Sequence, residues 1–92
     1  MSVYRVDLRL VEKSLLKLPP IICKKVINWV TAVEQDGLEE VRKSPGLHDE
    51  PLKGKLYGLR SVRLSKAYRL IYRIEKGQII EVIVVGVNKH EY

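Results

Sequence analysis

The sequence predicts a single α+β domain in the order β-α-α-β-β-β-β, a small and mostly antiparallel sheet with a helical hairpin on one face. Three observations predict it. Apolar residues recur at three- and four-residue intervals from Leu8 to Val33, interrupted by Pro19-Pro20. From Lys55 onward the apolar period becomes two. At 92 residues, residues 1–92 form one domain, with no linker, repeat or low-complexity segment.

Ser2 to Leu8 alternates Val3, Arg5 and Asp7 against Tyr4, Val6 and Leu8, the pattern of a first strand. Asp7 is placed to cap the first helix. Leu8, Val11, Leu15 and Leu18 define that helix, which is short and amphipathic. Pro19-Pro20 ends it and suits the first turn of the next. Ile22, Val26, Trp29, Val30 and Val33 make the apolar stripe of that second helix, and Gly37 is a C-cap. Trp29 reads as a core anchor, and Cys23 as a buried, inert thiol.

Leu38 to Lys43 predicts one more helical turn, broken at Ser44-Pro45-Gly46. Leu47 to Leu52 reads as an irregular loop. Short strands are expected at Lys55–Leu59, at Ser61–Ser65 with Val62 and Leu64 inward, and at Ala67–Ile74 with Tyr68, Leu70, Tyr72 and Ile74 on one face. A turn at Lys76-Gly77 leads to Gln78–Val87, which is almost wholly aliphatic, as in a strand buried on both faces.

Charge separates this chain from a merely soluble one. The net charge is +6, and the window from Lys53 to Arg73 holds seven Lys/Arg residues, three Tyr and no Asp or Glu. A cationic ribbon with aromatics beside it suits a polyanion such as RNA. By strand parity, Arg63 and Arg69 face each other across a tight hairpin, about 5 Å apart at Cβ. Like charges so placed repel each other, and a phosphate would offset that. Lys53 and Lys55 reach the same rim, and Arg60 and Arg73 extend the phosphate-binding set.

Cleavage of RNA without a metal needs a base for the 2′-hydroxyl, cations for the phosphorane and an acid for the departing 5′-oxygen. Glu50 fits the base, Lys53, Arg63 and Arg69 the cations, and His90 the acid. Tyr92 projects to the same side of an extended tail as His90, where it would stack on a base or assist proton transfer. His48, beside Asp49, reads as exposed. The scattered carboxylates and the two separated His predict no metal site, and no cofactor is expected. Arg5, Asp7 and Arg9 interrupt any leader-like apolar run, and Val82–Val87 is too short to span a bilayer. A cytoplasmic protein without membrane contact is expected.

These residues resemble a family. Glu50-Pro51-Leu52-Lys53, Leu56-x-Gly58, Arg63 with Tyr68-Arg69-Leu70-Ile71-Tyr72, and the terminal His90-x-Tyr92 are similar to the RelE/ParE superfamily of bacterial toxins. The likeness is greatest to its YoeB, HigB and RelE-type mRNA interferases, and the order of elements agrees over essentially the whole chain. The resemblance implies the toxin of a type II toxin–antitoxin system, which cleaves mRNA in the ribosomal A site and is neutralised by a cognate antitoxin. It also implies Glu50 as general base, Arg63 and Arg69 as phosphate-stabilising cations, and His90 and Tyr92 as the terminal pair. YoeB-like tails place His and Tyr adjacent, whereas here Glu91 intervenes. Two other readings stay open: a ParE-like, non-catalytic inhibitor of DNA gyrase, and a domain that binds nucleic acid without cutting it.

Overall fold

Val82, Ile83 and Val84 are three consecutive buried residues, and they lie where the sheet is most enclosed. A computed structural model of the chain describes residues 3–89. Five strands form one sheet: β1 (Tyr4–Asp7), β2 (Glu50–Pro51), β3 (Arg60–Arg63), β4 (Tyr68–Lys76) and β5 (Ile80–Lys89). Their spatial order is β1-β5-β4-β3-β2. β5 is therefore internal, parallel to β1 and antiparallel to β4. Its aliphatic run fits that central place, where side chains on both faces leave water.

A register shift at Ile71/Tyr72 pairs Ile71 with Gly86 but Tyr72 with Val84. Val85 is the extra residue of a β-bulge. The bulge lets Val84 and Val87, three positions apart, both reach the core. β3 pairs antiparallel with β4 and with β2, so the sheet is mostly antiparallel, as expected.

The helical layer comprises α1 (Glu12–Leu15), α2 (Pro20–Asp36) and α3 (Leu38–Val41). Only α2 is long. Pro20 stands in its first turn, and Ile22, Val26, Trp29 and Val33 are buried in one cluster with Val62, Leu70, Tyr72, Val82 and Val84. Lys24, Lys25, Asn28 and Gln35 are exposed, so the predicted stripe is the packed one. Gly37 ends α2 at φ 86, its N–H donating to the Val33 carbonyl at 2.9 Å. A side chain would be strained there, and its Cβ would come within 3.0 Å of the Tyr4 ring.

Four expectations need correction. The first helix does not run from Leu8 to Leu18: a 3-10 turn over Arg9–Val11 leads into the single turn of α1. The chain then tightens, with Lys17 N–H on the Ser14 carbonyl and Leu18 N–H on the Leu15 carbonyl. Leu18 precedes a proline, whose ring disfavours helical geometry in the residue before it. Val11 is nonetheless buried, and Leu15 and Leu18 pack against the core. Next, Lys55–Leu59 is not a strand. Gly54 and Gly58 have positive φ, and Gly54–Leu56 is a 3-10 turn with Leu56 and Tyr57 exposed. The loop expected at Leu47–Leu52 instead supplies β2, so the strand count holds with a different second member. Cys23, finally, is only partly buried.

Candidate nucleic-acid interface

Residues that face one another in an antiparallel ladder project to the same side. Two rows therefore cross the sheet surface opposite α2. One runs Glu50, Ser61, Ile71, Gly86, and the next runs Arg63, Arg69, Asn88. The expected facing of Arg63 and Arg69 is thus the register of the sheet, and Glu50 enters the same face one row away. Glu50 is exposed, whereas Arg63 and Arg69 are half-buried.

Neither arginine has an ion pair or side-chain hydrogen bond with another described residue. Arg69 Nη1 and Ser61 Oγ are both buried without a hydrogen-bond partner. A buried donor left unpaired costs about 1–3 kcal/mol. Two such atoms on the face that carries two unneutralised guanidiniums give it a demand for acceptor oxygens. Strand alternation turns Ser61 outward in the sequence but gives it no place in a site.

The other predicted cations are placed differently. Lys53 and Lys55 are exposed in the connection after β2, closed at its base by the Leu52 N–H on the Leu59 carbonyl at 2.9 Å. Arg73 lies on the same face as Arg69 but is ion-paired to Glu75. Arg60 points through the other side of the sheet. It faces Tyr72, and its Nε donates to Asp49 Oδ1 at 2.7 Å. His90 and Tyr92 lie outside the described residues, as does Glu91.

Arg60 belongs to a second polar centre, which the sequence does not reveal. The Asp49 side chain is 1% exposed and also accepts the Tyr72 hydroxyl at 2.5 Å. Arg42 Nε lies 4.0 Å from the same carboxylate and donates to the Tyr72 oxygen at 3.4 Å. Burial and then the bond to Asp49 push the Tyr72 phenol up to about 12, against the opposing pull of Arg42. For Arg60, burial disfavours the charge, but the hydrogen bond and charge of Asp49 prevail and raise it. Tyr72 is held from behind by Trp29, ring centroids 5.3 Å apart. The one legible signal is parity: if Glu50 faces out in a strand, Asp49 faces in.

A groove of about 760 Å³ lies between α2 and the α3–β2 connection, with Trp29, Val41 and Leu47 in its wall and Arg63 at its rim. It contains neither Glu50 nor Arg69, so it adjoins the cationic face without being it. Among the described residues no group of His, Cys, Asp or Glu is gathered to hold a metal, and no helix is long and apolar enough to cross a membrane.

Residues 9–92 match the family model described as the ParE toxin of type II toxin–antitoxin systems, parDE. No curated protein matches the sequence. Solved structures do. The toxin–antitoxin complex RelBE2 of Mycobacterium tuberculosis is 26% identical over 97% of this chain and 98% of that one, with a TM-score of 0.66. The YoeB–YefM complex of Staphylococcus aureus gives 19% identity, 99% coverage of each chain and a TM-score of 0.63. YafQ of Escherichia coli gives 13%, 98% and 94% coverage, and 0.64. The fold and these matches define a RelE/ParE-superfamily toxin, as the sequence motifs imply. The chain belongs to the family of ParE toxins of type II toxin–antitoxin systems.

Proposed function

We propose that this toxin is an endoribonuclease that cuts mRNA on the ribosome. One observation carries the reading: Arg63 and Arg69 face each other without a carboxylate between them, and Arg69 Nη1 is buried and unpaired. A phosphate offers the oxygens and the negative charge that this pair lacks.

Glu50 accepts the 2′-hydroxyl proton as that oxygen attacks the adjacent phosphorus. Negative charge builds on the phosphorane oxygens, where the two guanidiniums stabilise it. His90 donates a proton to the departing 5′-oxygen. The products are a 2′,3′-cyclic phosphate and a 5′-hydroxyl, and the chemistry needs no metal ion. Tyr92 stacks on a base beside the scissile bond, and Lys53 and Lys55 bind flanking phosphates. A cognate antitoxin neutralises the toxin by presenting acidic groups to the same face. Purified toxin added to a translating ribosome should cut the message, and Arg69→Ala or His90→Ala should slow cutting at least about a hundredfold. Undiminished cutting by both variants removes the assignment.

The family match itself favours a second reading, a non-catalytic inhibitor of DNA gyrase. Inhibited supercoiling in the presence of intact mRNA would select it.

A further inference from the structure

Little backbone holds the segment that delivers Glu50. β2 is two residues long and lies at the sheet edge, and Pro51 has no N–H to give to the ladder. His48, just before it, sits at φ 45, a conformation non-glycine residues seldom adopt. The connection after it is exposed from Lys53 to Gly58. An edge strand this short frays unless something else fixes it.

Asp49 is that fixture. Its carboxylate takes Arg60 Nε on one oxygen and the Tyr72 hydroxyl on the other, from two adjacent strands. Charge-assisted bonds of this kind are short and directional. Tyr72 is itself immobilised, fully buried in β4 against Trp29. With Asp49 tied inward, the next side chain must emerge on the opposite face. It emerges in register with Ser61, one row from the Arg63–Arg69 pair.

We propose that Asp49 is a positioning residue for Glu50: by binding Arg60 and Tyr72 on the core side, it sets the register and direction in which the Glu50 carboxylate meets the cationic face. The chemistry of the positioned carboxylate rests on the endoribonuclease reading, whereas the positioning does not. A buried ion pair that served stability alone would be a poor choice, since apolar packing at such sites often stabilises as well. A misplacement of about 1 Å in a reacting group, by contrast, lowers rates by about a hundredfold.

Two variants of the full-length chain test this: Tyr72→Phe, which removes one hydroxyl and keeps the ring packed on Trp29, and Asp49→Asn, which keeps the shape and removes the charge. Two readouts are needed. The first is hydrogen exchange at the Leu52 amide, whose bond to Leu59 closes the segment, against the amides of β5. Exchange at Leu52 should quicken about tenfold or more in both variants, with β5 unchanged. The second is cleavage of a translated message in wild-type and Glu50→Gln backgrounds. Tyr72→Phe should lower kcat about tenfold with little change in KM, and should have no further effect once Glu50 is Gln. Unchanged exchange at Leu52 in both variants overturns the proposal. So does an equal loss of kcat in the two backgrounds, which marks a purely structural role. If the wild type cuts no message, the endoribonuclease reading fails, and Leu52 exchange alone decides whether Asp49 anchors the segment.

Discussion

Arg63 on β3 and Arg69 on β4 are direct register partners, and no carboxylate among the described residues neutralises either of them. Like charges facing across a ladder destabilise it by up to about 1 kcal/mol. Removing one should therefore help the fold while harming the site. Arg69→Gln should raise the thermal midpoint by about 2–4 °C, corresponding to roughly 0.5 kcal/mol, as followed by circular dichroism. A clear drop in stability would mean that the pair is structurally supported in its own right.

The same pair, with Lys53 and Lys55, should govern the salt dependence of RNA binding. Four contacts to a single strand predict a slope of log K against log salt of about −3, and Arg63→Ala should reduce it by about 0.7. Titrations of a short oligonucleotide at several salt concentrations read this directly. A slope that Arg63→Ala leaves unchanged would place the RNA elsewhere.

Tyr72 makes the fold sensitive to alkali. Its pKa is pushed up to about 12 in the folded chain, from about 10 when unfolded. A raised folded-state pKa contributes stability that is complete below pH 10. That stability is lost as the pH rises toward 12, because only the unfolded chain has released its proton. The unfolding free energy from denaturant titrations should fall over that window by about 3 kcal/mol in total, and Tyr72→Phe should flatten the decline. Equal declines in both proteins would show that Tyr72 is not the titrating group.

Trp29 supports Tyr72 from α2, and its ring is buried in the core cluster. Trp29→Ala should cost about 3–5 kcal/mol, enough to leave much of a chain this small unfolded. The indole Nε1 is buried without a partner, so Trp29→Phe gives up no hydrogen bond and should cost far less. Urea denaturation of the two variants distinguishes them.

At Gly37 the backbone requires φ 86, and the Tyr4 ring stands where a Cβ would go. Gly37→Ala should destabilise the protein by about 1–3 kcal/mol, measured in the same way. An unchanged midpoint would show that β1 and the α2 terminus adjust together.

The parts legible in the sequence are those with a local cause. α2 begins at a proline, keeps a helical stripe and ends at a glycine, all within its own residues. Parity along β3 and β4 puts Arg63 and Arg69 on one side, and the short turn between the strands is enough to face them. Lys55–Leu59 misleads because Lys-Leu-Tyr-Gly-Leu imitates alternation, while the positive φ of Gly54 and Gly58 breaks the strand at both ends. The Asp49 centre is not legible locally. The Lys53–Arg73 window has no acid in sequence, yet Asp49 returns beside it through β2, and the return depends on a two-residue pairing. Charge alone therefore groups Arg60 with the phosphate-binding cations, although it points inward to that carboxylate.

On the proposed reading, the Arg63–Arg69 pair binds the phosphate at which mRNA is cut. Primer extension across cellular transcripts after expression of the toxin tests it most directly, with wild type beside Arg69→Ala. Discrete new 5′ ends within translated regions, absent with the variant at equal protein level, are expected. Intact transcripts with the wild type, accompanied by loss of DNA supercoiling, would contradict it.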